Sequence, residues 1–193
     1  TAQGTPLSFD STRYVKQEGN CSRASHCVKI SLNYPVAHGG QGNAGNAINE
    51  AVHRQIVKIM EGQSEIRSDS IDILAGDFIR QFNELYKKFP SMANQWFIEI
   101  DGKVVNTTDK IVSLSIRNFS FAGGAHPNTY ETYLNFDINT GRLLALTDVV
   151  NDTAKIMQLA ENKFRSLHHI RPGVSLNDAG FMFDKDRFFL PSN

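Results

Sequence analysis

The sequence predicts an α+β fold in which amphipathic helices pack on one face of an antiparallel sheet. An early strand-like alternation is followed by two helical stripes of apolar residues, and after Pro90 the pattern changes to a series of strands. Helices and strands that occur in separate blocks are typical of α+β proteins rather than of repeated βαβ units. We therefore expect a small N-terminal subdomain over residues 1–92 and a larger one over residues 93–193, with the boundary near residues 90–94.

The N-terminal block is predicted to hold one strand and two helices. In the strand, Val28–Tyr34, every second residue is apolar, so one of its faces is buried. The glycine-rich segment 38–45 ends this strand. Apolar residues at helical spacing then predict a helix for which Asn46 is available as the N-cap, and a second helix from about Ile71 to Lys88.

The second block is predicted to be an antiparallel meander. A hairpin is expected about Asp101-Gly102, because this dipeptide supplies the positive φ angles of a type I′ turn. Segment 110–121 alternates and then shifts phase, which indicates a β-bulge near Arg117 and Asn118. A clean alternation over residues 129–138 predicts a further strand.

A third amphipathic helix follows the meander. Its predicted apolar stripe comprises Ile156, Leu159, Ala160, Phe164 and Leu167. Asn151 or Asp152 opens it, and the pair His168-His169 lies near its C-terminus, where cations suit the helix dipole. The two histidines are therefore interpreted as structural.

Composition and charge exclude some classes of function. Hydrophobic residues make up 40% of 193 residues, enough for a real core, and 20 basic residues balance 20 acidic ones. No basic run marks a nucleic-acid interface. No stretch approaches the roughly 18 consecutive apolar residues of a membrane-spanning helix. The first ten residues lack a basic region and an apolar region, so the protein is either cytosolic or has lost a signal.

The two cysteines are interpreted as a disulfide. Cys21 and Cys27 enclose a short segment, and pairing them would contribute roughly 2 to 2.5 kcal/mol by loop-closure entropy in an oxidising compartment. His26 lies beside Cys27, but this spacing is not that of a zinc site, and the other histidines are scattered. No metal or cofactor is predicted.

Three patterns in the sequence bear on catalysis or cofactor binding. Gly40, Gly42 and Gly45 fit a dinucleotide fingerprint, but Glu65 falls between two helices rather than at the end of a parallel strand. Ser120 and His126 could form a nucleophile and its base, yet no nucleophile elbow surrounds the serine. Glu131 and Asp137 share a strand face about 20 Å apart, too far for a glycosidase pair.

The segment Phe121–Tyr130, "FAGGAHPNTY", connects two predicted strands. Gly123 and Gly124 permit backbone angles closed to other residues, and Pro127 fixes φ, so the segment is suited to reversing the chain. The ring of His126 could hold this loop in place, or it could contact a ligand. Both readings stay open.

This segment is also the basis of a resemblance. A strand followed by "GGAHPN", then a strand ending in a D-x-x-T-G turn (Asp137–Gly141), then "LLALTDVV" and a helix, resembles the C-terminal half of the RsiV/PdaC-type extracytoplasmic domains of the bacterial cell envelope. The preceding "SLNYPVAHGG" and "NAINEAV" are similar to the smaller domain that comes before it. Members usually continue past a segment like "FFLPSN" into further strands, which leaves open a truncated C-terminus.

The resemblance implies an exported domain, periplasmic or associated with the outer membrane, that binds or senses rather than catalyses. In the RsiV members the corresponding region binds lysozyme, and in PdaC the deacetylase chemistry belongs to a separate domain. A protein such as lysozyme or a peptidoglycan fragment is thus the expected partner, and a lipoprotein that has lost its anchor is one form of such a domain. A cell-wall hydrolase that uses His126 and a purely structural envelope domain remain the alternatives.

The predicted ligand-binding residues belong to the loop and to the strand after it, where aromatic rings and exposed amides suit either ligand class. They are Gly123, Gly124, Ala125, His126, Pro127, Asn128, Tyr130 and Tyr133. A loop that only sets the hairpin geometry is the alternative to a binding site.

Overall fold

The computed structural model describes residues 5–22, 25–90 and 95–181. Its elements, in chain order, are β1 (Ser8–Asn20), β2 (Ser25–His38), α1 (Ala44–Glu61), α2 (Ile71–Lys88), β3 (Gln95–Thr107), β4 (Ile111–Phe121), β5 (Asn128–Asp137), α3 (Leu146–Val149) and α4 (Thr153–Leu167). The predicted truncation after residues 188–193 concerns a segment outside the described residues. None of the described helices is long and apolar enough to cross a membrane.

The five strands form one sheet in the order β1-β2-β3-β4-β5. The α+β class is confirmed, but the sheet is mixed rather than antiparallel, because β2 and β3 run parallel from Cys27↔Gln95 to Asn33↔Asp101. Parallel neighbours need a long crossover connection, and α1 and α2 provide it. The other three pairs are antiparallel.

The sheet has a helix-covered face and an open face. On the covered face, Ile30, Ile98 and Ile116 are buried with the apolar stripes of α1 and α2 in one core. Successive side chains of a strand point to opposite faces, so Asn33, Phe97, Asp101, Phe119 and Tyr133 belong to the open face. Both predicted helical stripes therefore pack against the sheet, as expected from their spacing.

Strand β1 was not predicted. Its burial alternates only between exposed and half-buried residues, since β1 is an edge strand at the margin of the helical layer. Tyr14 and Lys16 reach Asp72 at the start of α2 through hydrogen bonds of 2.9 Å each. An edge strand of this kind lacks the apolar alternation by which β2 was recognised.

The predicted hairpin about Asp101-Gly102 is wrong. Strand β3 continues through both residues, and a Cβ on Gly102 would lie 2.8 Å from Ile116 Cδ1 and 2.9 Å from Pro35 Cδ. Glycine is needed there for close packing rather than for a turn. The chain reverses instead after Thr108, whose Oγ1 accepts a hydrogen bond from the Ile111 amide at 2.9 Å.

The predicted β-bulge near Arg117 and Asn118 is also wrong. The β3–β4 register is unbroken there, and it shifts instead between Val104 and Asn106. The apparent phase shift arises because Asn118 and Ser120 are polar but buried on the covered face, each 0% exposed. The phenylalanines that follow Arg117 therefore lie on the open face.

Side-chain hydrogen bonds cap the N-termini of α2 and α4, whereas the side chain of the N-cap residue of α1 makes no capping bond. Asn43, not Asn46, occupies the N-cap position of α1, and Asn46 Nδ2 donates to Asn43 Oδ1 at 2.6 Å. The bounds predicted for α2 are confirmed, and the Ser70 side chain accepts from the Ile73 amide at its start. Asp152 caps α4, as one of the two predicted residues.

The chain divides into two compact units, Thr1–Leu143 and Leu144–Asn193. The predicted boundary near residues 90–94 falls between α2 and β3, inside the first unit. In the second unit Arg165 pairs with Glu161 at 2.8 Å and donates to the Val174 carbonyl at 2.9 Å.

At the end of α4, His168 is the C-cap residue. Its ring lies 4.4 Å from that of Phe164 and 4.7 Å from that of Phe181, measured between centroids. His168 thus packs in a small aromatic group, which agrees with its structural interpretation.

Candidate functional site

The loop that joins β4 to β5 is exposed from Gly123 onward. Gly123 and Gly124 both have positive φ, 74° and 143°, which explains the glycine pair. A Cβ on Gly123 would lie 3.1 Å from Trp96 Nε1, so the loop crosses close over the edge of this indole. The loop thus runs close to Trp96 at Gly123, whereas a Cβ on Gly124 would meet no atom within 4 Å.

His126 makes a hydrogen bond that is local to the loop. Its Nδ1 donates to the Pro127 carbonyl at 3.1 Å, and the ring is exposed. Ser120, unlike the exposed His126, is buried on the covered face. Its Oγ accepts a hydrogen bond from Asn118 Nδ2 at 3.1 Å. Within the described residues no hydrogen bond joins Ser120 to His126, so the structure does not bring together the nucleophile and base weighed from the sequence.

Tyr130 and Tyr133 lie on opposite faces of β5. Tyr130 is paired with Asn118 on the covered face and is 44% exposed, while Tyr133 is paired with Ser115 on the open face and is 51% exposed. Partial burial raises the pKa of Tyr130. The predicted site residues are therefore split, and only the loop and Tyr130 can belong to one contact surface at the margin of the covered face.

Sequence reasoning missed a cluster of aromatic side chains on the open face. Phe97 lies 4.9 Å from Phe119 and 6.1 Å from Phe121, between ring centroids. All three are half-buried. The alternation of β4 places Phe119 and Phe121 on the open face once Asn118 and Ser120 are counted as core residues. Their polarity conceals this pattern in the sequence.

Next to these rings, a polar row crosses four strands of the open face. In register from β2 to β5 it consists of Asn33, Asp101, Arg117 and Glu131. Asn33 Nδ2 donates to Asp101 Oδ1 at 3.0 Å, and the Ser115 hydroxyl donates to Glu131. All four side chains of the row are exposed.

Comparisons with known proteins identify the family. The family model described as Deacetylase PdaC matches residues 21–129, more than half of the chain. The chain belongs to this PdaC family. The matched residues extend across residue 92, through both predicted subdomains. The word deacetylase is part of the family's description, and it assigns no activity to this chain.

Two solved structures resemble the fold of this PdaC-family chain. A DUF3298 family protein from Pseudomonas aeruginosa PAO1 has a TM-score of 0.59 at 18% identity, over 83% of this chain and 66% of its own. A DUF3298 family member from Bacteroides fragilis NCTC 9343 has a TM-score of 0.65 at 18% identity, over 89% of this chain and 73% of its own. At this identity the likeness concerns the fold alone. No curated protein matches the sequence.

The cysteines of this PdaC-family chain form a disulfide, as predicted. Cys21 and Cys27 are joined at 2.04 Å, so no free thiolate remains for a metal. The enclosed His26 packs its ring on Tyr86 at 3.8 Å and near Phe82 at 5.4 Å. Among the described residues no group of histidine, cysteine and carboxylate side chains is placed to hold a metal ion.

The glycine-rich segment of this PdaC-family chain precedes α1. Glu65 lies beyond the far end of this 18-residue helix, about 27 Å along its axis from the glycines. Its carboxylate pairs with Arg80 at 2.7 Å. Glu65 is thus too far from the glycines to hold the ribose of a dinucleotide whose phosphates they bind.

Asp137 serves local structure. Asp137 Oδ1 accepts from the amides of Asn139 and Thr140 at 3.0 and 2.9 Å, and also from the Thr140 hydroxyl. These bonds, with the one from the Thr140 amide foremost, lower the pKa of the Asp137 carboxyl. Asp137 thus fixes the turn that follows β5.

Proposed function

We propose that this chain is a non-catalytic binding or sensing module of the bacterial cell envelope, exported and periplasmic or associated with the outer membrane. Its ligand is a protein such as lysozyme or a cell-wall glycan. The family resemblance supports the class of function, and the Cys21–Cys27 disulfide supports an oxidising compartment. The lysozyme candidate rests on the resemblance to the RsiV members.

The observation that carries the proposal is the loop Gly123–Asn128. It is exposed, its first glycine lies close to Trp96, and its histidine is hydrogen-bonded to the Pro127 carbonyl. A protruding loop held by a rigid sheet is a common way to present binding residues. Tyr130 adds a half-exposed aromatic ring beside the loop, and such rings provide large contact area at low entropic cost.

Calorimetric titration of the protein with C-type lysozyme, and separately with soluble peptidoglycan fragments, tests the proposal. We expect saturable binding of at least one probe, and a tenfold or larger rise in Kd for the double variant His126→Ala/Asn128→Ala. Both residues are exposed, so the fold should be retained. Arg54→Ala, on an exposed position of α1, is the matched control.

Absence of saturable binding to both probes would contradict the proposal and favour a structural envelope domain. Turnover of the peptidoglycan fragments that is lost in His126→Ala with the fold intact would instead support the hydrolase alternative. Separate Tyr130→Ala and Tyr133→Ala variants locate the surface, since the two rings lie on opposite faces. We expect the Tyr130 variant to weaken binding more.

A further inference from the structure

We propose that the open face of the sheet is a second binding surface, and that it takes a polysaccharide chain lying across strands β2 to β5. This inference rests on the proposed binding function and names one ligand class for it. The surface consists of the polar row Asn33, Asp101, Arg117 and Glu131 and of the aromatic side chains on either side of that row.

Three of the four side chains of the polar row form hydrogen bonds to neighbouring side chains. Ser11 donates to Asn33 Oδ1 at 2.6 Å, Asn33 donates in turn to Asp101 at 3.0 Å, and the Ser115 hydroxyl donates to Glu131. Side chains bonded to one another in this way lose less freedom when a ligand binds. Each carboxylate keeps further acceptor sites, because an ionised carboxyl offers about four.

Arg117 supplies the donors of the row. It lies in register between Asp101 and Glu131, and its guanidinium forms no ion pair within the described parts of the chain. Its five N–H groups in a planar fork can therefore donate to ligand oxygens. The row thus alternates acceptors and donors, an arrangement that suits hydroxyl and acetamido groups, which both donate and accept.

Aromatic rings flank the row. Phe119 lies two residues from Arg117 on the same strand and face, about 6.6 Å away along the strand. The Phe97 ring contacts Phe119, and the exposed Tyr133 lies two residues from Glu131 on the other side of the row. A pyranose ring has apolar C–H faces and polar edges, so it can place its edge on the row and its face on an aromatic ring.

Charge and size favour a polysaccharide over a protein. The strand register places four basic residues on the open face (Arg13, Lys29, Lys103 and Arg117) and balances them with four acidic ones (Glu99, Asp101, Glu131 and Asp137). Such a surface attracts neither a strongly positive nor a strongly negative partner. Protein interfaces are depleted of charged residues at their centre, whereas here the charged row is central. Four strands span about 14 Å, which suits an oligosaccharide better than a single sugar.

The test is titration of the full chain with a soluble hexamer of β-1,4-linked N-acetylglucosamine and with peptide-free glycan strands of peptidoglycan. We expect saturable binding of at least one of these probes, weakened at least tenfold by Arg117→Ala and by Glu131→Gln. The matched control is Arg54→Ala, an exposed arginine on α1. Unchanged thermal unfolding of each variant establishes that the fold is intact.

The outcomes separate this inference from the loop proposal. Glycan binding that is lost in His126→Ala/Asn128→Ala but unaffected by the open-face variants would overturn the inference and leave the proposed function standing. Lysozyme binding sensitive to Arg117→Ala, without any glycan binding, would also overturn it and make the open face a protein-binding surface. Glycan binding that depends on Arg117 and Glu131 alone would support the inference and remove the role of the loop.

Discussion

Asp77 is a buried carboxylate on α2 that is satisfied entirely by its neighbours. Its side chain accepts from the Ser64 hydroxyl at 2.6 Å, from the Glu65 amide at 3.0 Å, from Arg80 at 2.7 Å and from Gln81 at 2.8 Å. Burial by itself would raise the pKa of Asp77, but these bonds outweigh it and lower the pKa to about 2. Asp77 thereby connects α2 to the segment that follows α1.

The low pKa of Asp77 predicts how stability depends on pH. Because the folded pKa is below the ordinary value of 3.8, ionised Asp77 stabilises the fold above pH 3.8, and this stabilisation is lost as the pH falls towards about 2. We expect Asp77→Asn to lower the free energy of unfolding by about 2 kcal/mol at pH 7 and by much less at pH 2. Denaturant unfolding at a series of pH values measures this difference.

Asp109→Asn provides the control, because Asp109 is exposed in the β3–β4 turn. Subtracting its pH profile removes the general effect of losing one carboxylate. A deficit of Asp77→Asn that stayed constant from pH 7 to pH 2 would contradict the role given to the ionised form.

At the scale of elements, the strands and helices differed in how well the sequence predicted them. The helix α2 was predicted with its correct bounds, because a continuous apolar stripe is followed directly by Pro90. The hairpin predicted about Asp101-Gly102 was wrong because Gly102 is required for a different reason. Ile116 and Pro35, which are distant in sequence, pack too close to it for any larger residue. Local turn propensity cannot express such a tertiary contact.

At the candidate site, the sequence predicted the local geometry of the loop but not how the strands arrange the side chains beside it. The loop Gly123–Asn128 is exposed, as a binding loop must be, and its glycines have the positive φ that the sequence suggested. Tyr130 and Tyr133 were grouped, although residues three apart on a strand point to opposite faces. The open-face phenylalanines were missed because burial of Asn118 and Ser120 reverses the polarity expected of a core face.

The connection between β1 and β2 is closed by the Cys21–Cys27 disulfide. Because it restricts a short loop in the unfolded chain, we expect its removal to lower the free energy of unfolding by roughly 2 to 2.5 kcal/mol. The Cys21→Ala/Cys27→Ala variant should show this loss in denaturant unfolding. Dithiothreitol should destabilise the native protein by a similar amount and leave the stability of the double variant unchanged. If dithiothreitol destabilised both proteins equally, the loss of stability could not be assigned to this disulfide.

At the scale of the whole molecule, the parallel pairing of β2 with β3 was beyond the reach of local patterns. Both strands were recognised at least in part, but their relative direction depends on how α1 and α2 return the chain across the sheet. The two helices cover one face only, and this leaves the other face with its polar row and aromatic rings. The mixed topology is therefore what creates the surface proposed to bind polysaccharide.

The division into two compact units predicts independent folding of the first. Residues Thr1–Leu143 contain the five strands, both long helices of the core and the disulfide, and the buried core cluster of the described residues belongs to this unit. In the second unit, α4 has 15 residues and none of them is buried, and a helix of this length is marginal in water without tertiary packing. We expect a fragment of residues 1–143 to unfold cooperatively.

Circular dichroism and thermal unfolding of the two separate fragments test this expectation. Residues 1–143 should give a single sigmoidal transition whose loss of helix and strand signals coincides, because α1, α2 and the sheet share one core. Residues 144–193 should show weak helical signal that declines gradually with temperature. A first fragment without a cooperative transition would mean that its core depends on the second unit. Binding to the open face would then have to be measured on the full chain, because the sheet would not fold in the first unit alone.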